Sequence, residues 1–285
     1  MLMGMTLEEI YSASEFIGIP KYAAREIALW IYRRGAVNID QFTNISKSAR
    51  RTLEENFVIG KTDPVKVSVS ADGTKKYLFL VNEDRYIETA YIPDAKRHTL
   101  CVSSQVGCKL NCAFCMTGKQ GFQGHLSTGQ ILNQLISLPE RTIITNIVFM
   151  GMGEPFNNTD AVLKALEILT AEYGMAISPR KITVSTVGLL PGMRRFIEQS
   201  KCQLAISLHS PFHEERAQIM PVENKYPAEE IVAVLKEYPF EKQRRISFEY
   251  IVFKGLNDSP RHVNQLARLL NGLRCRINLI RFHTI

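Results

Sequence analysis

The sequence has no stretch that reads as an address or an anchor. Glu8 and Glu9 follow the first apolar residues almost at once, which excludes a secretory leader, and no apolar run approaches the roughly 20 residues of a membrane span. The expectation is a cytoplasmic chain with reduced thiols and no membrane partner. Repeats and low-complexity tracts are missing too, so neither a solenoid nor a disordered scaffold is indicated. Cysteines are few, six in 285 residues, and no second C-x2-C pair exists to complete a zinc ribbon. A dinucleotide fingerprint is also lacking: in "GMGEP" (151–155) two glycines are present, but Phe156 stands where the third would be.

What is present suffices for a sizeable core. The chain is 45% hydrophobic, enough for one large unit and a smaller accessory one. Its net charge of +7 and pI near 9.1 point to an anionic partner. The basic pairs Arg33-Arg34, Arg50-Arg51, Lys75-Lys76, Arg194-Arg195 and Arg244-Arg245 are scattered, so each alone reads as a solvated surface.

Three textures follow one another. From Lys21 to about Phe57 apolar residues recur at helical spacing, with Ile27, Trp30 and Ile31 at i, i+3, i+4. Residues 1–62 are therefore expected to form a small helical domain. "VKVSVS" (65–70), "KYLFLV" (76–81) and "YIETAYI" (86–92) read as strands of an antiparallel meander, giving a linker over 63–92. From 93 to 285, strands at 99–106, 145–150, 181–186, 203–208, 246–253 and 275–282 alternate with helices at 127–138, 159–173, 191–200, 227–237 and 259–271. That alternation predicts an α/β fold with a parallel sheet. Six such units are too few for a closed eight-stranded barrel, so a partial (β/α)6 barrel is expected, its ligands at the C-terminal ends of the strands.

Four of the six cysteines fall within fifteen positions, and three of them, Cys108, Cys112 and Cys115, form C-x3-C-x2-C just beyond the first parallel strand. Three soft thiolates suit an iron-sulfur cluster or zinc, and a four-iron cluster with three protein ligands keeps one iron open for an external ligand. A zinc site would need a fourth ligand such as His98 or His125. A dithiol redox pair at Cys112 and Cys115 would leave Cys108 unexplained. Taken singly, Ser185, Ser207 and His209 read as satisfied turn residues, Glu88 as the outward residue of an alternating strand, and Cys101 as a small core residue.

The three-cysteine spacing is the signature of the radical S-adenosylmethionine enzymes. "LCVSSQVGCKLNCAFC", "FMGMGEPFNN", "VSTVGLLPGM", "LAISLHSP" and "INLI", in that order, resemble the RlmN/Cfr family of RNA adenine methyltransferases, from about Lys21 to the last residue. The resemblance implies a radical-SAM partial barrel holding a [4Fe-4S] cluster on Cys108, Cys112 and Cys115. It gives S-adenosylmethionine to Gly153, Glu154, Ser185, Ser207, Leu208 and His209. Where the family has asparagine after "NLIP-x", this chain has His283. Glu88 matches a proton-accepting glutamate, and Cys101 a thiol that helps resolve a protein-RNA adduct.

The implied reaction uses two molecules of S-adenosylmethionine. One methylates a cysteine of an "ACG" motif; the other yields a 5'-deoxyadenosyl radical that takes hydrogen from that methyl group, and the carbon radical adds to an adenine ring carbon. C2 is expected rather than C8, as the family's housekeeping activity. The partners implied are 23S ribosomal RNA, transfer RNA and an electron donor such as flavodoxin, with the protein itself a monomer. None of the six cysteines matches the methylated one: Cys202 and Cys275 begin strands, at the wrong end of a barrel for chemistry. These 285 residues are thus expected to cleave the cofactor without methylating RNA. A basic RNA-binding module with a structural or redox-sensing cluster is the alternative reading.

Overall fold

The computed structural model describes residues 1–240, 244 and 246–282. Helices α1 (Leu7–Phe16), α2 (Lys21–Leu29) and α3 (Lys47–Asn56) open the chain, and α2 continues as a π-helical turn over Trp30–Arg34. α1 precedes the first periodic segment of the sequence, and a capping box starts it: Glu9 N–H donates to the Thr6 hydroxyl, and Thr6 N–H to the Glu9 carboxylate. Ile10, Ile27 and Ile31 are fully buried, each contributing roughly 1.5–3 kcal/mol. The helices belong to the same apolar core as the rest of the chain. Gly4, at φ +96°, lies so close to Gly129 that a Cβ would approach its nitrogen to 2.5 Å. The Asn133 side chain donates to Thr62 O and accepts from Thr62 N–H.

The meander comprises β1 (Lys66–Val69), β2 (Lys75–Asn82) and β3 (Arg85–Asp94), all antiparallel. It is continuous with the barrel: β3 pairs antiparallel with β4 (Arg97–Cys101), which pairs parallel with β7 (Asn146–Phe149). The boundary expected after Ile92 therefore falls inside β3. Lys75 and Tyr77 of β2 anchor this extension by donating to the buried Glu140 carboxylate.

The expected first barrel strand, 99–106, is broken. After Cys101 the chain leaves the sheet, and β5 (Gln105–Val106) pairs with β6 (Gly124–His125) as a separate two-stranded ribbon. The short helix α4 (Met116–Lys119) lies between them. Next come α5 (Thr128–Ile136), β7 (Asn146–Phe149), α6 (Thr159–Thr170), β8 (Ile182–Thr186), α7 (Leu190–Gln199) and β9 (Gln203–Ser207). Helices α8 (His213–Ile219) and α9 (Ala228–Glu237), β10 (Ile246–Val252), α10 (Pro260–Leu269) and β11 (Cys275–Arg281) complete the described chain. α4 and α8 are additions to the expected helices; the five foreseen ones are found.

The nine-stranded sheet runs β1-β2-β3-β4-β7-β8-β9-β10-β11, with its six barrel strands parallel and in sequence order. Register separates two faces. Leu100, Ile147 and Ile182 align and are buried in the core, whereas Cys101, Val148, Thr183 and Gln203 align on the opposite face, followed by Ser185, Ala205 and Ser247, then Ser207, Glu249 and Asn278. The second face is polar and leads to the C-terminal strand ends.

Candidate active site at the C-terminal strand ends

The cysteine loop is clamped at its base by the β5-β6 ribbon. Gly107 takes φ +70°, and a Cβ there would meet the Gly121 carbonyl oxygen at 1.7 Å. Further along, Ala113 N–H donates across the barrel mouth to Ile219 O at the end of α8, and Phe114 sets its ring edge-on to His209, centroids 4.7 Å apart. This docking turns Cys108, Cys112 and Cys115 toward one cavity of about 250 Å³, which Gly153, Glu154, Ser185, Ser207, His209 and Glu249 also line.

Cys108 and Cys112 are buried and Cys115 partly so. Burial, joined by repulsion from the neighbouring thiolates, raises the Cys108 thiol and pushes Cys112 up to about 12. Two thiols so raised need a metal to become thiolate ligands. Zn–S bonds of about 2.3 Å would bring sulfurs within about 4 Å of one another. Among the described residues no group of three His, Cys, Asp or Glu is spaced to hold one ion. A four-iron cluster, in which each cysteine takes its own iron, suits the more open arrangement. Both candidate fourth ligands are engaged besides: His98 Nδ1 with the Tyr91 hydroxyl at 2.6 Å, and His125 Nδ1 with Gln105 Nε2 at 3.1 Å.

At the end of β7, Gly151 and Gly153 let the backbone pass close to the segment after β4. A Cβ on Gly151 would lie 2.7 Å from the Ser103 hydroxyl; one on Gly153, at φ +97°, would lie 2.5 Å from Gln105 Cβ. Gln105 Oε1 accepts the Glu154 N–H at 2.7 Å. The Glu154 carboxylate, 3% exposed, accepts from Phe156 N–H (3.0 Å), the Thr186 hydroxyl (2.7 Å) and Val187 N–H (3.0 Å). Burial pushes it up to about 7 against the pull of these donors. The Glu154 carboxylate is thus largely engaged by the protein, while the residue still lines the cavity.

Ser185 and Ser207 sit at the ends of β8 and β9 as expected. His209 adopts φ +59°; its Nδ1 accepts Ile251 N–H at 3.0 Å, and its carbonyl accepts from Asn257 Nδ2 at 2.6 Å. Burial, reinforced by Arg216, lowers it to about 3, so the ring is neutral at physiological pH. Nδ1 accepts, so Nε2 carries the proton and the ring is a donor. Leu208 differs from expectation: its side chain is buried in the core, and its backbone bonds Glu249 O and Arg216. His283 lies outside the described residues.

Glu88 and Cys101 lie beside the cavity, not in its lining. Glu88 opposes Leu78 in the meander and pairs with Lys76 at 2.9 Å on an exposed face; its backbone is tied to the site by Met152 and by the Ser103 hydroxyl. Cys101 aligns with Ala90 and Val148, and burial pushes its thiol up to about 11.

Arg216, Glu249, Gln105 and Asn257 escaped the sequence reading. For Glu249 a signal existed, a lone charge in the apolar strand "ISFEYIVF". Arg216 is camouflaged within "HEERAQI", among charges that look solvated.

A partial parallel barrel whose first loop turns three cysteines into a cavity at the strand ends defines the class of radical S-adenosylmethionine enzymes. Its superfamily model, Radical SAM superfamily, matches residues 102–267, and the model described as Ribosomal RNA large subunit methyltransferase N-terminal domain matches residues 1–59, including the helix that sequence periodicity did not mark. The chain is 55% identical over 284 residues to a probable dual-specificity RNA methyltransferase RlmN of Parabacteroides distasonis, covering 100% of this chain and 83% of the relative. It is 42% identical over 283 residues to a dual-specificity RNA methyltransferase RlmN of Syntrophus aciditrophicus, covering 98% and 81%. A crystal structure of a radical SAM methyltransferase from Sphaerobacter thermophilus matches with TM-score 0.91 and 39% identity, over 99% of this chain and 84% of that one. The chain belongs to the RlmN family of radical SAM methyltransferases, and its cofactors are a [4Fe-4S] cluster and S-adenosylmethionine.

Proposed function

We propose that this protein serves adenine C2 methylation in RNA, with 23S ribosomal RNA and transfer RNA as substrates. The convergence of Cys108, Cys112 and Cys115 with five parallel strands on one cavity carries the reading. When bound, the cluster supplies the electron that cleaves S-adenosylmethionine reductively. The chain's own residues bind and orient. Ser185, Ser207 and the Nε2–H of His209 offer hydrogen bonds to the cofactor, and the Phe114–His209 contact helps shield the cavity from water.

The target base would be splayed from its helix toward the meander side of the mouth, where Glu88 is the proton acceptor and Cys101 resolves the adduct. On that exposed sheet face Lys66, Leu78 and Glu88 align, with Lys76 and the exposed Tyr86 alongside, a set suited to phosphate contact and base stacking. The remaining cysteines support a division of labour: Cys202 precedes β9 and Cys275 begins β11, at the end of the sheet away from the cavity. A methyl-carrying cysteine is then not among these six. The setting is a reduced cytoplasm, with a donor such as flavodoxin and a monomeric protein; among the described residues no helix is long and apolar enough to cross a membrane.

The test is electron paramagnetic resonance of the anaerobically reconstituted, reduced protein, with 5'-deoxyadenosine assayed in parallel. A cluster signal that shifts on adding S-adenosylmethionine, with 5'-deoxyadenosine released, is expected. An unchanged signal and no release would favour a saturated cluster in an RNA-binding protein. Two-methyladenosine appearing in RNA incubated with these 285 residues would refute the division of labour.

A further inference from the structure

Where β3 loses its strand partner, the turn after β7 supplies one. β3 and β4 pair from Asp94 opposite Arg97 to Ala90 opposite Cys101; two residues further the same register would set Ser103 opposite Glu88, but the chain has left the sheet. Backbone groups of an antiparallel strand turn alternately to its two neighbours, so the N–H and carbonyl of Glu88 face that gap. The Ser103 hydroxyl donates to the Glu88 carbonyl at 2.6 Å, and Glu88 N–H donates to Met152 Sδ at 3.4 Å. Met152 stands between Gly151 and Gly153, the glycines of the turn that lines the cavity.

Ser103 is 0% exposed, and all its polar groups are paired. Its hydroxyl also accepts Met152 N–H at 2.9 Å, so one oxygen joins the turn to β3. Gln134 of α5, equally buried, accepts Ser103 N–H at 2.8 Å and the Thr89 hydroxyl at 2.6 Å, and donates to Ser103 O at 2.9 Å. Alongside, Gly151 N–H donates to Val102 O, and the N–H groups of Ser104 and Gln105 both donate to Met152 O. A Cβ on Gly151 would fall 2.7 Å from Ser103 Oγ and from Val102 O, so turn and segment have no slack between them. A buried polar network with every member satisfied rigidifies what it joins. We infer that Ser103, held by Gln134, is a positioning residue for Glu88: it registers the backbone of that residue against the cofactor turn, so that occupancy of the turn is felt at Glu88. Neither Ser103 nor Gln134 lines the cavity, and both act through the turn and the strand.

The inference rests on the proposed function, with the cavity as cofactor site and Glu88 as proton acceptor, and amide hydrogen exchange separates the three. The anaerobically reconstituted protein is exchanged with and without S-adenosylmethionine, and Glu88 N–H is read by mass spectrometry with fragmentation to single residues. Saturating cofactor should slow exchange at Glu88 by about tenfold or more in wild type, and by less than about twofold in Ser103→Ala. A Ser103 that served only as structure would speed exchange in both states and leave that ratio at its wild-type value, which would overturn the inference. So would a cofactor that protects residues 151–153 of the wild type but leaves Glu88 unchanged, a comparison that decides even if the variant fails to fold. No binding and no protection anywhere would remove the cofactor site, and the inference with it. An adenosine-containing RNA hairpin that protects the cavity mouth but not residues 86–90, with the cofactor response intact, would unseat Glu88 as proton acceptor and leave the Ser103 relay standing.

Discussion

Arg216 and Glu223 form an ion pair in which neither side chain exceeds 2% exposure. Beyond the pair, Arg216 donates to Leu208 O, Ser207 O and Val187 O, so one guanidinium ties the end of β9 to the loop after β8. Glu223 in turn accepts Ala228 N–H at the start of α9. Arg216→Met would remove the buried cationic partner of Glu223 and one donor each from the Leu208, Ser207 and Val187 carbonyls, and should cost about 3–5 kcal/mol in urea unfolding of the metal-free protein. Arg216→Lys keeps the charge but not the planar fork, and should still lower S-adenosylmethionine affinity once reconstituted. A variant as stable as wild type would show that the pair is dispensable.

Glu140 ties the meander to the barrel, and its titration should be visible in stability. Burial raises its pKa, but hydrogen bonds from Lys75 and Tyr77 outweigh this and hold it below the usual carboxylate value. The folded pKa is depressed relative to about 4.3 unfolded, so the contribution is fully present above that pH and fades as pH falls through the folded value. Glu140→Gln should lower the unfolding free energy at pH 7 by about 1–3 kcal/mol, chiefly through the buried Tyr77 hydroxyl. The difference from wild type should shrink below pH 4. A constant difference from pH 7 to pH 3 would contradict this.

The barrel strands were legible because each is a short apolar run between helices of clear 3.6-residue period. What escaped depended on tertiary pairing. Nothing local says that β3 will pair with β4, and so the meander reads as a linker. The 99–106 segment is apolar enough for one strand, yet the close passage at Gly151 and Gly153 pulls its second half away toward β6. α1 buries only Ile10 and Ser14, too little for periodicity, although Thr6 and Glu9 spell a capping box. The serines, His209 and cysteines of the site came from family resemblance; spacing alone supported only the cysteines. The direction of the Glu154 carboxylate needed coordinates, because Thr186 and Val187 reach it across 32 and 33 residues.

Cys101 should resist alkylation in the folded protein. With its thiol near 11, roughly one in a thousand is ionised at pH 8, and the thiolate is the reactive form. Iodoacetamide at pH 8 should modify Cys101 at least tenfold more slowly than in urea, as read by peptide mass spectrometry. Rapid native labelling would mean that the thiolate is available at rest. Slow labelling that accelerates when RNA is bound would fit a resolving role switched on by substrate.

Gly153 provides the most local test of the site's construction. Its φ of +97° disfavours any side chain, and an added Cβ would fall 2.5 Å from Gln105 Cβ and 2.8 Å from Gln105 N, close to the backbone where relief is hardest. Gln105 also holds the Glu154 N–H, so displacement of one disturbs the turn that carries the other. Gly153→Ala should therefore destabilise the protein by about 1–3 kcal/mol and weaken S-adenosylmethionine binding at least tenfold, with cluster iron content unchanged. Gly121→Ala is the control: it too has positive φ, at +72°, but nothing lies within 4 Å of its Cβ, so it should pay backbone strain alone and keep cofactor affinity. Equal losses of affinity in the two variants would place the effect in general strain, not in the approach of Gly153 to Gln105.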